Sequence, residues 1–401
     1  MDLTYSDKYV ALQREVRDFL AEKGQLSPHS GGGRVKPSKA ALDWQKILVE
    51  HGYVARSIPK AFGGAGLPFD VLELAVIADE FAKAGVDPGL KNQGISMLVP
   101  TLLEVGTPEQ CKRWIEPTIR GDIIWCQGYS EPGSGSDLAN ARTSAVVEDG
   151  MFVINGQKIW TSSAQFADMM FLLCRTEPEA SKHAGLSYLL VPMTAPGIEV
   201  RPLVTMTGRA TFNETFFTDV RVPVDQVVMG RGDGWKVANI TLKYERQLLG
   251  DPNKLHGRFE KVRKLMQETE IDGQSVLSIP EYRDRLLKLQ GEVMAARYHG
   301  MRLLTQQAKD EDPGVGRLLV KYHGTLLAYR LTSLAVDVLG AAGLAYDPDE
   351  GIETDEATAS HIDTMYDIGH IIGGGSTNIH KNIIGERGLG LPREPKTVTQ
   401  G

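Results

Sequence analysis

Two short polar segments in the middle of the chain could together bind a flat ligand. Residues 131–137 (EPGSGSD) are rich in hydroxyls and small side chains, so the backbone there can approach a ligand closely. Residues 160–162 (WTS) place an indole beside two hydroxyls. A flat aromatic ligand with polar edges can stack on an indole and form hydrogen bonds around its rim. Taken alone, either segment would favour an ordinary capped turn or a core tryptophan.

A third candidate is a carboxylate on a predicted helix. Residues 235–249 have a helical pattern in which Glu245 shares an apolar face with Ala238 and Leu242. A glutamate on such a face is rarely buried by chance, because an unpaired buried charge is costly. A carboxylate in an apolar pocket has a raised pKa and suits a general base near neutral pH. The alternative is an ion pair with a neighbour such as Arg246 at the helix edge.

The hydrophobic pattern divides the chain into three parts that would position these residues. Residues 1–122 have a helical period, residues 123–232 alternate with a period of two, and residues 233–401 are helical again. We therefore predict an α+β fold with an N-terminal α-helical domain, a middle antiparallel β domain and a C-terminal helical bundle. The middle domain would be a barrel or a sandwich.

Two dipeptides in the middle domain predict tight hairpins. Asp149-Gly150 and Asn155-Gly156 are both strong turn signals between strand-like runs. The second hairpin would present Trp160 near the loop that begins at Ser130. The predicted strands cover residues 123–128, 143–147, 151–154, 158–161, 169–174, 187–191, 199–204 and 212–222. The predicted C-terminal helices cover residues 235–249, 254–269, 280–309, 315–341 and 361–371.

Both polar segments match motifs of one enzyme family. Residues 129–137 (YSEPGSGSD), followed by Arg142-Thr143, resemble the signature of the acyl-CoA dehydrogenase family. Residues 156–162 (GQKIWTS) resemble its second flavin-binding segment at matching separation, and the similarity runs over essentially the whole chain. The resemblance implies FAD-dependent dehydrogenation of an acyl-CoA thioester to the trans-2-enoyl-CoA. A base would remove the α-proton, the β-hydrogen would leave as hydride to the flavin, and an electron-transfer flavoprotein would take the electrons.

The resemblance also implies roles for individual residues. Many members carry the base in a turn that reads IGGGST here (residues 372–377), and Gly374 occupies the position of the glutamate. Glu245 would serve instead, because Glu245-Arg246 resembles the alternative base position of isovaleryl-CoA dehydrogenase-like members. The implied FAD contacts are Tyr129, Ser130, Gly135, Ser136, Trp160, Thr161 and Ser162. The implied substrate contacts are Ser136, Arg246 and the backbone N–H of Gly374.

Another departure from the family concerns the rest of the FAD site. The family often has an Arg-x-x-Phe motif and a glutamine that faces the diphosphate of a neighbouring subunit. Here Asp337 occupies the glutamine position, and no Arg-x-x-Phe run is found in residues 266–282. An acid beside a diphosphate would be repulsive. We therefore expect a tetramer, with a heterotetramer containing a related subunit favoured over a homotetramer, and a bulky or branched acyl substrate.

The composition limits the remaining function classes. A net charge of −7 argues against a nucleic-acid or anionic membrane surface. The nine histidines and three cysteines show no metal-ligand spacing, so we expect no metal, reduced cysteines and a cytoplasmic location. Two alternatives stay open at this point. One is a flavin monooxygenase on the same fold, and the other is a non-catalytic partner subunit.

Overall fold

The computed structural model of the chain describes residues 5–28, 36–248, 251–344 and 356–393. These residues form two compact units, one that ends at Tyr244 and one that begins at Glu245. The first unit contains the N-terminal helices and the β domain, and the second is mostly helical. The order of a helical part, a β part and a second helical part agrees with the predicted fold.

The N-terminal part of the first unit is helical, as predicted. Its α-helices are α1 (Asp7–Lys23), α2 (Lys39–Glu50), α3 (Val71–Ala84), α4 (Val99–Val105) and α5 (Pro108–Ile119). Helix α5 begins with a capping box, because the Thr107 hydroxyl accepts from the Gln110 N–H and the Gln110 side chain accepts from the Thr107 N–H. Helices α1 to α3 bury Phe19, Trp44 and Phe81 against one another.

The middle of the chain forms one seven-stranded sheet. Its strands are β1 (Trp125–Gly128), β2 (Ser144–Glu148), β3 (Met151–Lys158), β4 (Met169–Arg175), β5 (Leu186–Pro192), β6 (Ile198–Leu203) and β7 (Phe212–Pro223). Their order is β1-β4-β2-β3-β7-β6, and β5 pairs with β4 along the whole length of β4. Most pairs are antiparallel, as predicted, but β4 is parallel to both β1 and β2.

Strand β4 shows how the sheet is buried. Met169, Phe171 and Leu173 belong to the core shared with helices α4 and α5, whereas the alternate residues Met170 and Leu172 face a second core within the β domain. Both faces of this strand are therefore covered, which explains its nearly continuous apolar sequence.

One of the two predicted hairpins is present and the other is wrong. Asp149 and Gly150 form a two-residue turn between β2 and β3, with φ values of 49° and 74°. Asn155-Gly156 lies inside β3, which continues to Lys158 and pairs with β7 across a bulge between Ile154 and Gly156. Gly156 is needed there because its φ is 145° and a Cβ atom would lie 2.7 Å from the Thr143 Cα.

The second unit is a helical bundle, as predicted. Helix α6 (Gly234–Leu248) crosses the boundary between the units, and the later helices are α7 (Pro252–Glu268), α8 (Pro280–Ala308), α9 (Gly316–Leu339), α10 (Ala341–Leu344), α11 (Glu356–Ile372) and α12 (Thr377–Ile383). A short hairpin of β8 (Glu270–Ile271) and β9 (Gln274–Ser275), absent from the prediction, joins α7 to α8. Helix α9 packs against α7, α8 and α11. No helix in the described part of the chain is long and apolar enough to cross a membrane.

Candidate functional site

The two polar segments predicted to lie together do meet in the first unit. The backbone N–H of Ile159 donates to the carbonyl of Ser130 at 2.9 Å. The Lys158 ammonium donates to the carbonyl of Tyr129 at 2.9 Å and to the Glu131 carboxylate at 2.8 Å. The end of β3 is thereby fastened to the loop that follows β1.

A buried ion pair lies beneath this junction. Lys158 is fully buried and the Glu131 side chain is 8% exposed. Glu131 also accepts from the backbone N–H groups of Arg142 at 2.6 Å and Thr143 at 2.8 Å. Burial acts to raise the pKa of Glu131, but Lys158 and these backbone donors outweigh it, so the pKa is lowered. Neither Glu131 nor Lys158 was assigned an individual role from the sequence, because their pairing joins positions 27 residues apart.

Trp160 has an unusual backbone and an open ring. Its φ is 61°, and a left-handed conformation in a bulky residue costs about 1–3 kcal/mol, so it persists only where the surrounding structure imposes it. The side chain is 56% exposed, and its ring meets Phe212 edge to face at 5.8 Å. An exposed indole supported at one edge keeps a face available for stacking.

The next two residues are buried. Among the described residues, the Thr161 hydroxyl has no hydrogen-bond partner. The Thr161 backbone does have partners: its N–H donates to the Asn213 carbonyl at 3.0 Å, and its carbonyl accepts from the Asn213 side-chain amide at 2.9 Å. A buried hydroxyl without a partner is costly, but Thr161 is 0% exposed, so a ligand would reach this hydroxyl only if the surrounding residues moved. Ser162 is also buried. The junction therefore offers an exposed aromatic ring that is followed in the chain by two buried residues with hydroxyl side chains.

The loop of the first polar segment is more exposed. Gly135 and Ser136 are exposed, and a Cβ atom added at Gly135 would meet nothing within 4 Å. The Ser134 hydroxyl donates to the carbonyl of Asp137 at 2.7 Å, which closes the loop. The Tyr129 ring packs edge to face against Phe171 and Tyr188 in the core, so its backbone carbonyl rather than its ring lies at the junction. These residues fit a flat ligand with a polar rim, such as an isoalloxazine.

The remaining predicted residues lie in the second unit or at its start. Glu245 is partly buried on α6, on the helix that also buries Ala238. Gly374 has a φ of 67° and Gly375 a φ of 94°, so the turn between α11 and α12 requires glycine. The side chain of Arg246 lies outside the described residues.

A buried lysine forms hydrogen bonds with the glycine turn and interacts electrostatically with Glu245. Lys321 on α9 donates to the carbonyls of Ile371 at 3.1 Å and Gly375 at 2.6 Å. Burial lowers the pKa of Lys321 to about 8, and the negative charge of Glu245 opposes this shift. Lys321 was not predicted as a site residue, because its acceptors lie 50 and 54 positions away in the chain.

Other predicted features have mixed outcomes. Asp337 pairs with Arg285 at 2.6 Å, so the carboxylate at this position is neutralised by a neighbour. His380 is on α12 and fully buried. Cys111, Cys126 and Cys174 are free and buried, as expected. No group of residues that could hold a metal ion is found in the described ranges.

Comparisons with known proteins agree along nearly the whole chain. Three family models match, for the N-terminal, middle and C-terminal domains of acyl-CoA dehydrogenases, at residues 6–122, 126–220 and 232–389. The acyl-CoA dehydrogenase IpdE1 of Mycobacterium tuberculosis is 38% identical over 95% of this chain and 97% of its own length.

Two solved structures of heteromeric relatives are also similar. The Tcur3481-Tcur3483 steroid ACAD is 30% identical, with a TM-score of 0.80 over 98% of this chain and 100% of that one. The ChsE4-ChsE5 complex from Mycobacterium tuberculosis is 31% identical, with a TM-score of 0.81 over 98% of this chain and 100% of that one.

Proposed function

The chain belongs to the acyl-CoA dehydrogenase family, a family of FAD-dependent enzymes, and on this basis we propose a specific activity for it. It binds FAD, oxidises a bulky or branched acyl-CoA thioester to the trans-2-enoyl-CoA, and passes the electrons to an electron-transfer flavoprotein. The observation that carries the proposal is the junction of the two polar segments, where the exposed ring of Trp160 precedes the buried residues Thr161 and Ser162 and follows the strand end fastened to Ser130.

The proposed flavin contacts lie in the first unit. Trp160 stacks on the isoalloxazine, Thr161 and Ser162 bind its polar edge, and Ser130, Gly135 and Ser136 bind from the loop. When bound, the flavin accepts the β-hydrogen together with its electron pair. The buried pair of Lys158 and Glu131 keeps the two segments together, so the cradle is formed before the ligand arrives.

The proposed base is Glu245. Gly374, at the position where many family members have their glutamate, has no side chain that could accept a proton. We propose that the Glu245 carboxylate takes the α-proton while the Gly374 N–H donates to the thioester carbonyl. That hydrogen bond would stabilise negative charge as the α-proton leaves. Ser136 and Arg246 would hold the rest of the substrate.

The proposed substrate class follows from relatives. The name of one similar structure describes a steroid ACAD, and the chain covers all of that relative's length. We therefore propose a CoA thioester whose acyl group carries a bulky ring system or a branch. Flavin bleaching by straight-chain, branched-chain and steroid acyl-CoA thioesters in parallel would rank these classes.

We further propose a heterotetramer with a related dehydrogenase subunit. Helix α8 has an exposed apolar stripe with near-heptad spacing. Its members are Leu287, Met294, Tyr298 and Met301, which are between 46% and 62% exposed. Such a stripe on a 29-residue helix is typical of a surface that another helical subunit covers. The two heteromeric relatives support a partner of the same fold.

Replacement of Glu245 by glutamine tests the proposed base. Glutamine keeps the shape but cannot accept the α-proton, so flavin reduction by an acyl-CoA thioester should slow by about 10²–10⁴-fold. FAD content should be unchanged, because the proposed flavin contacts are elsewhere. The matched control is Glu268→Gln, which removes an exposed carboxylate from α7 and should leave the rate unchanged.

The same preparations separate the alternatives. Near-normal flavin reduction in Glu245→Gln would show that the base lies elsewhere. A wild-type protein that binds FAD but is reduced by no acyl-CoA, with or without its partner, would favour a non-catalytic subunit. Reduced flavin that is reoxidised by oxygen with substrate hydroxylation, rather than by an electron-transfer flavoprotein, would favour a monooxygenase.

A further inference from the structure

Lys321 is a fully buried lysine in the second unit that pairs with no carboxylate through a hydrogen bond in the described part of the chain. Its ammonium donates to two backbone carbonyls, those of Ile371 and Gly375. These carbonyls lie on either side of Gly374. A buried ammonium is costly, so its retention at this place calls for a reason.

Besides Lys321, the turn is supported by a backbone hydrogen bond from the Gly373 N–H to the Gly369 carbonyl at 2.8 Å and by weaker side-chain contacts. Gly374 and Gly375 have left-handed backbones, and glycine has the largest backbone entropy to lose on folding. The Thr377 hydroxyl donates to the carbonyl of Ile371 at 3.3 Å, and Ser376 caps α12 through a long bond of 3.4 Å from the Ile379 N–H. The strongest contact is the 2.6 Å bond from Lys321 to Gly375, because a charged donor strengthens a hydrogen bond.

The charge of Lys321 acts on one carboxylate in particular. Among the described residues, Glu245 is the charged group that acts electrostatically on Lys321. Asp367 on α11 is already paired with Arg258 on α7 and with His370. The ring of His380 on α12 lies close to Gly375, on the same turn.

We propose that Lys321 is a positioning residue for proton removal: it fixes the turn that carries Gly374 and keeps Glu245 in its ionised, proton-accepting form. The inference rests on the proposed function, because it takes Glu245 as the base. Lys321 touches neither substrate nor flavin in this mechanism. It acts through the backbone of the turn and through its charge.

Electrostatics predicts the direction in which loss of the Lys321 charge shifts the pH–rate profile. A nearby cation favours the ionised form of a carboxylate, so removal of the ammonium should raise the pKa of the base. Since the base must be deprotonated to act, the acid limb of the pH–rate profile should move to higher pH. An opposite charge at close range shifts a carboxyl by about one unit or more. We therefore expect a displacement of about one pH unit.

Lys321→Met tests both parts of the proposal. Methionine keeps most of the volume and removes the charge and the donors. The expected results are faster amide hydrogen exchange in residues 371–376 and an acid limb of flavin reduction displaced upward by about one pH unit. Thermal unfolding and FAD content should establish that the variant is folded. The matched control is Lys288→Met, which removes an exposed lysine of α8 paired with Asp284 and should change neither measurement.

Lys321→Arg keeps the charge and provides a second test if the methionine variant does not fold. Arginine stays protonated at all accessible pH values, so this variant should keep the wild-type acid limb. An acid limb displaced as far upward in a folded Lys321→Arg variant as in Lys321→Met would overturn the proposal, because the charge is kept in the first and lost in the second.

The exchange measurement separates this inference from the proposed function, because it does not depend on which residue is the base. Wild-type exchange of residues 371–376 in a folded Lys321→Met variant would overturn the role of Lys321. Near-normal flavin reduction in Glu245→Gln would overturn the proposed base instead. The two failures are therefore distinguishable.

Discussion

Replacement of Lys158 by methionine tests whether the buried ion pair holds the proposed flavin cradle together. The variant loses two hydrogen bonds, to the Tyr129 carbonyl and to Glu131, and leaves a carboxylate that is only 8% exposed without its counter-charge. Removal of one partner of a buried pair costs about 3–5 kcal/mol. We expect the free energy of unfolding to fall by about this amount and FAD retention to fall with it.

The assay is urea unfolding at a fixed protein concentration, followed by circular dichroism and by tryptophan fluorescence, together with the FAD content of the purified protein. The matched control is Lys182→Met. Lys182 pairs with Asp137 at 2.6 Å, but both side chains are about half exposed. An exposed pair contributes about 0–1 kcal/mol, so the control should unfold near the wild-type midpoint.

The pH dependence of the free energy of unfolding provides a second test of the Lys158–Glu131 pair. The pKa of Glu131 is lowered in the folded state, so its pair stabilises the protein above the unfolded carboxyl pKa of about 4.3. This stabilisation is lost as the pH falls through the folded pKa. The difference between wild type and Lys158→Met should therefore shrink in acid.

A double variant identifies why Lys158→Met loses stability. Glu131→Gln in the Lys158→Met background removes the stranded charge while its side-chain oxygen can still accept a backbone N–H, so it should recover part of the stability. If Lys158→Met loses no more stability than Lys182→Met, or if the double variant recovers nothing, the argument from the buried pair is refuted.

Two further predictions concern the flavin and the assembly. Trp160→Ala should weaken FAD retention, because a stacked aromatic pair contributes about 0.5–1.5 kcal/mol beyond its buried area, and Trp160→Phe should retain part of it. An unchanged FAD affinity and an unchanged flavin absorption spectrum in Trp160→Ala would remove this residue from the site. The chain expressed alone should purify with little FAD, and co-expression with its partner should give a flavin-containing heterotetramer. A fully active homotetramer with one FAD per chain, measured by light scattering and absorbance, would contradict this.

The sequence predicts local structure well where the signal itself is local. The Asp149-Gly150 turn and the capping box at Thr107 both depend on residues within a few positions of each other, and both are present. Asn155-Gly156 carries an equally strong turn signal. There, the pairing of β3 with the twelve-residue strand β7 outweighs the local preference, and the glycine serves a bulge.

The partners of strands and of buried charges are harder to predict. Alternation of apolar residues identifies β4 but does not reveal that β1 and β2 run parallel to it. In the same way, the motif residues around Trp160 are evident in the sequence, whereas Lys158 and Lys321 acquire their roles from acceptors 27 to 54 positions away. Contacts at such separations leave no periodic trace in one sequence.

The pairing of Asp337 with Arg285 changes the weight of one argument for a heterotetramer. From the sequence, the carboxylate of Asp337 would repel a diphosphate. In the structure Arg285 neutralises it, and both side chains are about half exposed, so the pair contributes about 0–1 kcal/mol. The charge of Asp337 is therefore only a weak argument against an FAD site formed by copies of this chain alone. The proposal of a heterotetramer therefore rests on the exposed stripe of α8 and on the heteromeric relatives. Flavin content and subunit stoichiometry must accordingly be measured together.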